Sequence, residues 1–169
     1  MNDEPIALVD GQDRVIGETT RDKAHAKGLL HHEAFVYVFA KDQVLLQRRA
    51  DSGLWDHSAA GHFPPKEDYL IGALRELKEE LGISPPSLEE LGKLLNEDWN
   101  MHSNSREKRF ATVFLLRKEI PIASFILDPR EIAEIRYFTK AELKTLMATD
   151  GIHESAKQAI TQFILPLLS

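Results

Sequence analysis

The segment Gly61–Ile83, GHFPPKEDYLIGALRELKEELGI, constrains this chain more than any other. Leu70, Ala73, Leu74, Leu77 and Leu81 recur at spacings of three and four, the period of one buried helical face, so a helix is predicted over Tyr69–Leu81. Gly82 stands where helices commonly end in a left-handed residue. Glu76 precedes Glu79 by three residues and Glu80 by four, and both spacings put side chains on one helical face. Three like charges there repel, which costs stability unless a cation sits among them. Oxygen ligands of this hardness suit Mg²⁺ or Mn²⁺, most of all when a substrate phosphate completes the shell. The competing reading is a solvated acidic face paired with Arg75 and Lys78.

Around this helix the chain mixes strands and helices without regular alternation. Pro5–Val9 and Val15–Glu18 flank the turn dipeptide Asp10-Gly11. Thr20–Lys27 reads as a short helical or irregular segment closed by Gly28. Ala34–Ala40 (AFVYVFA) is a buried strand by its β-branched and aromatic residues, and Val44–Arg49 pairs back on it. Trp55–Ala60 leads into Gly61. Strands are predicted over Leu91–Asn96, Arg109–Leu116 and Glu134–Phe138. Thr139-x-x-Glu142 is a capping box opening a helix through Met147, and Ala156–Leu165 is a second amphipathic helix. This pattern favours an α/β (α+β) fold, a mixed sheet with helices packed on it, over a doubly wound parallel sheet. At 169 residues the expectation is a single domain over 1–169.

Composition removes several function classes. There is no cysteine, which excludes disulfide scaffolds, thiolate metal sites and cysteine nucleophiles or proton donors. A net charge of −6 argues against a partner that is a nucleic-acid polymer. The N-terminus MNDEPIALVD is acidic and has no secretory pattern, and no apolar run is long enough for a membrane, so the expected location is cytoplasmic.

The segment also fits G-x5-E-x7-R-E-U-x-E-E-x-G-U, with U a bulky apolar residue. Gly61, Glu67, Arg75, Glu76, Leu77, Glu79, Glu80, Gly82 and Ile83 fill every defined position, and seven of those positions demand one residue type. A chance match is on the order of one in 10⁸ to 10⁹ per start position at average residue usage. This is the signature of the Nudix hydrolase superfamily, which the sequence resembles. The resemblance implies an α/β/α sandwich and Mg²⁺- or Mn²⁺-assisted attack of water on a small-molecule diphosphate. It implies Glu76, Glu79 and Glu80 as metal ligands with the Gly61 carbonyl as a further one, Glu67 as support, and Arg75 orienting a carboxylate. The base is a box glutamate or an acidic residue outside the box. One departure is Lys66, where many members have glycine; Pro64-Pro65 stiffens that loop instead.

A narrower likeness lies upstream. DGQDRVIGETTRDKAHAKGLLHHEAFVYVF, LLQRRA and WDHSAAGH resemble the isopentenyl diphosphate isomerase subgroup of the superfamily. That resemblance implies His25, His32 and His62, with Glu107, as a second metal site; three imidazoles would suit Zn²⁺ or Mn²⁺. The alternative is that the trio binds phosphate or orders the entry loop. Two departures count against isomerisation. Ala60 stands where the isomerases have their catalytic cysteine, and Arg109 where they have a second glutamate. Allylic isomerisation needs a proton donor and acceptor on opposite faces of the substrate, and alanine supplies neither.

Arg48 and Arg49 end a strand just before the site loop; an arginine fork suits phosphate oxygens, and the isomerase likeness favours Arg49. Arg109 either pairs with Glu107 or reaches substrate. Trp55, Phe63, Tyr69 and Trp99 are candidates to stack a base, with core packing as the competing role. His31, His57, His102 and His153 read as surface or hydrogen-bonded residues. The regions Asp51–Trp55 and Asp98–Lys108 are where substrate choice is expected. Three readings therefore stand: hydrolysis of a nucleoside diphosphate derivative or similar diphosphate, isopentenyl diphosphate isomerisation, and a non-catalytic nucleotide-binding module. A homodimer is the default assembly.

Overall fold

The computed structural model describes residues 4–100 and 104–169. His102 lies outside the described residues. The hub of the fold is strand β3 (His31–Ala40), which is buried along nearly its whole length. Such burial requires cover on both faces of a sheet. One edge of β3 pairs in parallel with β8 (Ser105–Arg117), from His31 opposite Arg109 to Phe39 opposite Arg117. The other edge is shared. β1 (Pro5–Val9) reaches it at His31, β6 (Ala59–His62) pairs over Glu33–Val36, and β4 (Gln43–Arg49) pairs over Val38–Ala40.

The remaining strands extend this sheet to nine. β2 (Val15–Thr20) pairs with β1, β7 (Glu89–Asn100) with β8, and both β5 (Trp55–Asp56) and β9 (Ile132–Phe138) with β4, all antiparallel. The sheet is mixed and flanked by helices, as the sequence suggests. β3 alternates between two cores. Phe35, Tyr37 and Phe39 pack towards α3 (Lys140–Met147) and α4 (Glu154–Ala159), whereas Ala34, Val36 and Val38 pack towards α2 (Tyr69–Leu81). Among the described residues no helix is long and apolar enough to cross a membrane.

The local chemistry accounts for the helix ends. The Asp68 side chain accepts from the Ile71 N–H at 2.9 Å and opens α2; Gly82, at φ +69°, closes it. α1 (Arg21–Lys27) is a helix capped by Thr20. The Thr139–Glu142 capping box is present. The last helix begins two residues before the expected Ala156, and α4 passes into a π turn over Ile160–Ile164 and a 3-10 turn over Leu165–Leu167. Pro166 removes a backbone donor there, which suits the tighter ending. The β7–β8 ribbon is much longer than Leu91–Asn96 and Arg109–Leu116. Its outer part is charged, with Lys108 3.4 Å from Glu97 across the strands, so hydrophobic pattern alone does not reveal it.

Candidate active site

α2 lays its apolar stripe on the sheet and aims Glu76 and Glu80 inward, both buried, while the Glu79 side chain is 56% exposed. Arg75 ties the group together. Its guanidinium donates to Glu67 at 3.2 Å, to Glu76 at 3.1 Å, to Glu79 at 3.3 Å and to the His62 carbonyl at 2.9 Å. Gln47 of β4 donates to Glu80. A Cβ at Gly61 would lie 2.1 Å from the Glu76 carboxyl carbon, so only glycine lets Glu76 approach the β6 backbone. Burial, opposed by Arg75, pushes the Glu76 carboxyl up to about 8, and burial pushes Glu80 well above the usual carboxylate range. Two desolvated carboxyls, Glu76 held by the Arg75 guanidinium and Glu80 by the Gln47 amide, form with the adjoining Gly61 backbone a donor set that fits Mg²⁺ or Mn²⁺.

The carboxylates line one side of a cavity of about 810 Å³, and His25 and His62 line it too. Here the structure revises the expected histidine trio. The side-chain nitrogens that converge, all within 4.8 Å of one another, belong to His25, His31 and His62. His32 is on the opposite face of β3. Its ring stacks on Phe63 at 4.1 Å, and its Nδ1 is 3.8 Å from Asp13. The reason is strand parity: successive β residues face opposite sides, so His31 joins Glu33 and Phe35 while His32 joins Ala34. His31 is thus a site residue rather than a bystander.

The Nε2 atoms of His25, His31 and His62 are all buried without a hydrogen-bond partner. Burial holds His25 at about 4 and depresses His31 and His62 as well, so the rings are neutral near pH 7. Three neutral imidazoles with orphaned, converging nitrogens fit a borderline cation such as Zn²⁺ or Mn²⁺. Glu107 stands beside the group, but its carboxylate faces His25 Nδ1 at 3.3 Å and Arg109 at 2.6 Å.

The arginines divide. Arg109 is buried, and Glu33 at 3.1 Å engages it along with Glu107. It lines the cavity as part of a carboxylate cage rather than as a free fork. Arg49 also borders the cavity, gripped by Asp51 through two 2.9 Å bonds. Arg48 points away to Glu134 on β9, at 2.9 Å, and is not a cavity residue. That is a correction to the paired-arginine expectation, again set by strand alternation.

Of the four aromatics, Phe63 is fully buried, Trp55 packs edge-on to Phe138 and Tyr69 donates to Asp13. Trp99 borders the cavity and is 53% exposed. His57 is hydrogen-bonded, as read: its Nδ1 and the Tyr37 hydroxyl are 2.6 Å apart. Glu131 and Glu4 also border the cavity, and their charges raise the Glu76 carboxyl further. No sequence motif marked either of them.

The model of the NUDIX domain matches residues 29–161 of the chain. The chain belongs to the Nudix family. It is 30% identical over 141 residues to "Nudix hydrolase 3" of Arabidopsis thaliana, covering 77% of the chain but only 18% of that protein's length. It is 34% identical over 146 residues to an isopentenyl-diphosphate Delta-isomerase of Streptomyces griseus, covering 82% of the chain and 72% of that protein. A Deinococcus radiodurans crystal structure superposes with a TM-score of 0.76 at 19% identity, covering 95% of the chain and 99% of that structure. This last likeness is one of fold. In this Nudix domain Ala60 lies on the cavity wall and Arg109 in the carboxylate cage.

Proposed function

We propose that the protein hydrolyses the diphosphate linkage of a nucleoside diphosphate derivative or similar organic diphosphate. The observation that carries this reading is buried Glu76 against Gly61 and held by Arg75, with buried Glu80 held by Gln47 beside it, on the wall of a large polar cavity. Glu76, Glu80 and the Gly61 carbonyl would hold Mg²⁺ or Mn²⁺, with Glu79 joining from the rim. Bound there, the metal supplies charge neutralisation for the diphosphate and an acidified water.

The chain's own groups do the rest. Arg75 keeps the carboxylates oriented, with Glu67 holding its far side. Arg49 offers charge-assisted hydrogen bonds to phosphate oxygens once Asp51 yields a donor. Glu79 or Glu131 receives the proton from the attacking water, both facing the cavity and retaining solvent access. Trp99 gives a flat surface for an aromatic base. The histidine group would hold a second cation. Isomerisation is disfavoured because Ala60 can neither donate nor accept a proton where the cavity would need it.

The test is product analysis with Mg²⁺ on nucleoside di- and triphosphates, nucleotide sugars, dinucleotides and isopentenyl diphosphate, comparing wild type with Glu80→Gln. Metal-dependent cleavage lost in the variant supports the hydrolase and names its substrate class. An isomerised allylic product, or tight nucleotide binding with no turnover of anything, would sink it.

A further inference from the structure

We propose that a divalent cation on the Nε2 atoms of His25, His31 and His62 keeps part of its shell open to the cavity, and that this opening takes an anion of the phosphate class. The inference rests on the histidine group holding a metal, as read above, and goes beyond it in the number of protein ligands and what completes them.

Two of the rings have their tautomers set. His31 Nδ1 lies 2.9 Å from the Leu29 carbonyl, which can only accept, so that nitrogen carries the proton. His25 Nδ1 faces the Glu107 carboxylate at 3.3 Å with the same result. Both Nε2 atoms therefore keep their lone pairs, buried and unpartnered in a group whose nitrogens lie within 4.8 Å of one another, as in metal sites whose outer partners orient the ligating imidazole.

Glu107 cannot serve as outer partner and ligand together. One of its oxygens faces His25, and the other takes a 2.6 Å hydrogen bond from Arg109. Arg109 is itself buried, with Glu33 at 3.1 Å and Asp98 at 3.9 Å, so it cannot swing away without stranding carboxylates. Among the described residues the converging group contains three histidines and no carboxylate. A dication with three neutral ligands keeps its full charge and needs at least one more donor. Sites with three protein ligands and an open position are the catalytic type, where water or substrate completes the shell. His25 and His62 line the same cavity as Glu76, Glu79 and Glu80, so an anion entering there can reach both sides.

The test uses the full chain carrying Glu80→Gln, which weakens the carboxylate side, loaded with one equivalent of Co²⁺. Four- or five-coordinate cobalt absorbs visible light far more strongly than octahedral cobalt, so the spectrum reports ligand number directly. The expected result is an intense band that orthophosphate shifts saturably, that disappears in His31→Gln, and that persists in His32→Gln. A parallel titration with AMP separates the sources: saturation by orthophosphate alone assigns free phosphate, and saturation by AMP as well assigns a phosphoryl group on an organic moiety. A weak octahedral spectrum, a band unmoved by either anion, or phosphate stripping the cobalt overturns the open position while leaving the metal site standing. Failure to bind cobalt at the histidines overturns both. Circular dichroism on each variant separates loss of ligand from loss of fold.

Discussion

The two walls of the cavity are built by opposite strategies. The carboxylate wall comes from one helix, where the 3.6-residue period sets the spacing and Arg75 locks it. The histidine wall is assembled from α1, the start of β3 and the end of β6, so no single element defines it. The first offers hard anionic oxygens and the second neutral nitrogens. Cation preference should follow: Mg²⁺ on the helix side, Zn²⁺ or another borderline metal on the histidine side. A chain that presents both to one space can keep two metals apart by chemistry alone.

The largest expected effect breaks one wall and spares the other. Glu80→Gln should lower kcat on the cleaved diphosphate by about a thousandfold, the loss of several kcal/mol of metal-assisted stabilisation. Zinc bound per chain, measured by atomic absorption, should be unchanged. Next comes the parity of β3. His31→Gln should weaken zinc affinity by more than about a hundredfold in calorimetry, beyond the usual effect of losing an outer partner. His32→Gln should leave it within a few-fold, and equal losses in the two variants would return His32 to the site.

Acid should also tell on the histidine side. Burial holds His57 at about 4, below its ordinary 6.5, so between those values the unfolded chain binds a proton that the folded one refuses. Stability should therefore fall as pH drops from about 6.5 to about 4, by up to about 3 kcal/mol from this one ring. Urea titrations across that window should show the slope, and His57→Phe should remove this ring's share of it while His25, His31, His32 and His62, depressed by the same burial, keep the rest. The smallest effect separates neighbours on β4. Arg49→Ala should raise KM by about tenfold, whereas Arg48→Ala should leave it unchanged.

Much of this was readable from residues, and the failures share a cause. The bounds of α2 follow from a 3.6 period, an acidic N-cap and a closing glycine, all local. β3 begins three residues before the apolar run because His31, His32 and Glu33 are polar yet buried inside the sheet or close to it. Which of two adjacent histidines joins His25 and His62 is a matter of register, and a one-residue slip exchanges every side chain across a strand. The same slip separates Arg48 from Arg49. Glu131 and Glu4 reach the cavity only through tertiary folding, and nothing in their sequence neighbourhood announces it, whereas Trp99 falls in a segment already marked for substrate choice. Arg109 is legible as an ion pair with Glu107, but the carboxylates of Glu33 and Asp98 complete its cage across strands β3 and β7.

The central position of β3 also governs the order in which the chain can fold. Its parallel partner β8 follows β7 in the chain, so a ribosome must release well over half the protein before β3 can be enclosed on that edge. Until then a strand with two apolar faces waits beside only β1, β4 and β6. Such long-range parallel pairing is slow and leaves nascent chains open to association. Newly made protein should therefore lean on chaperones more than its final stability would suggest.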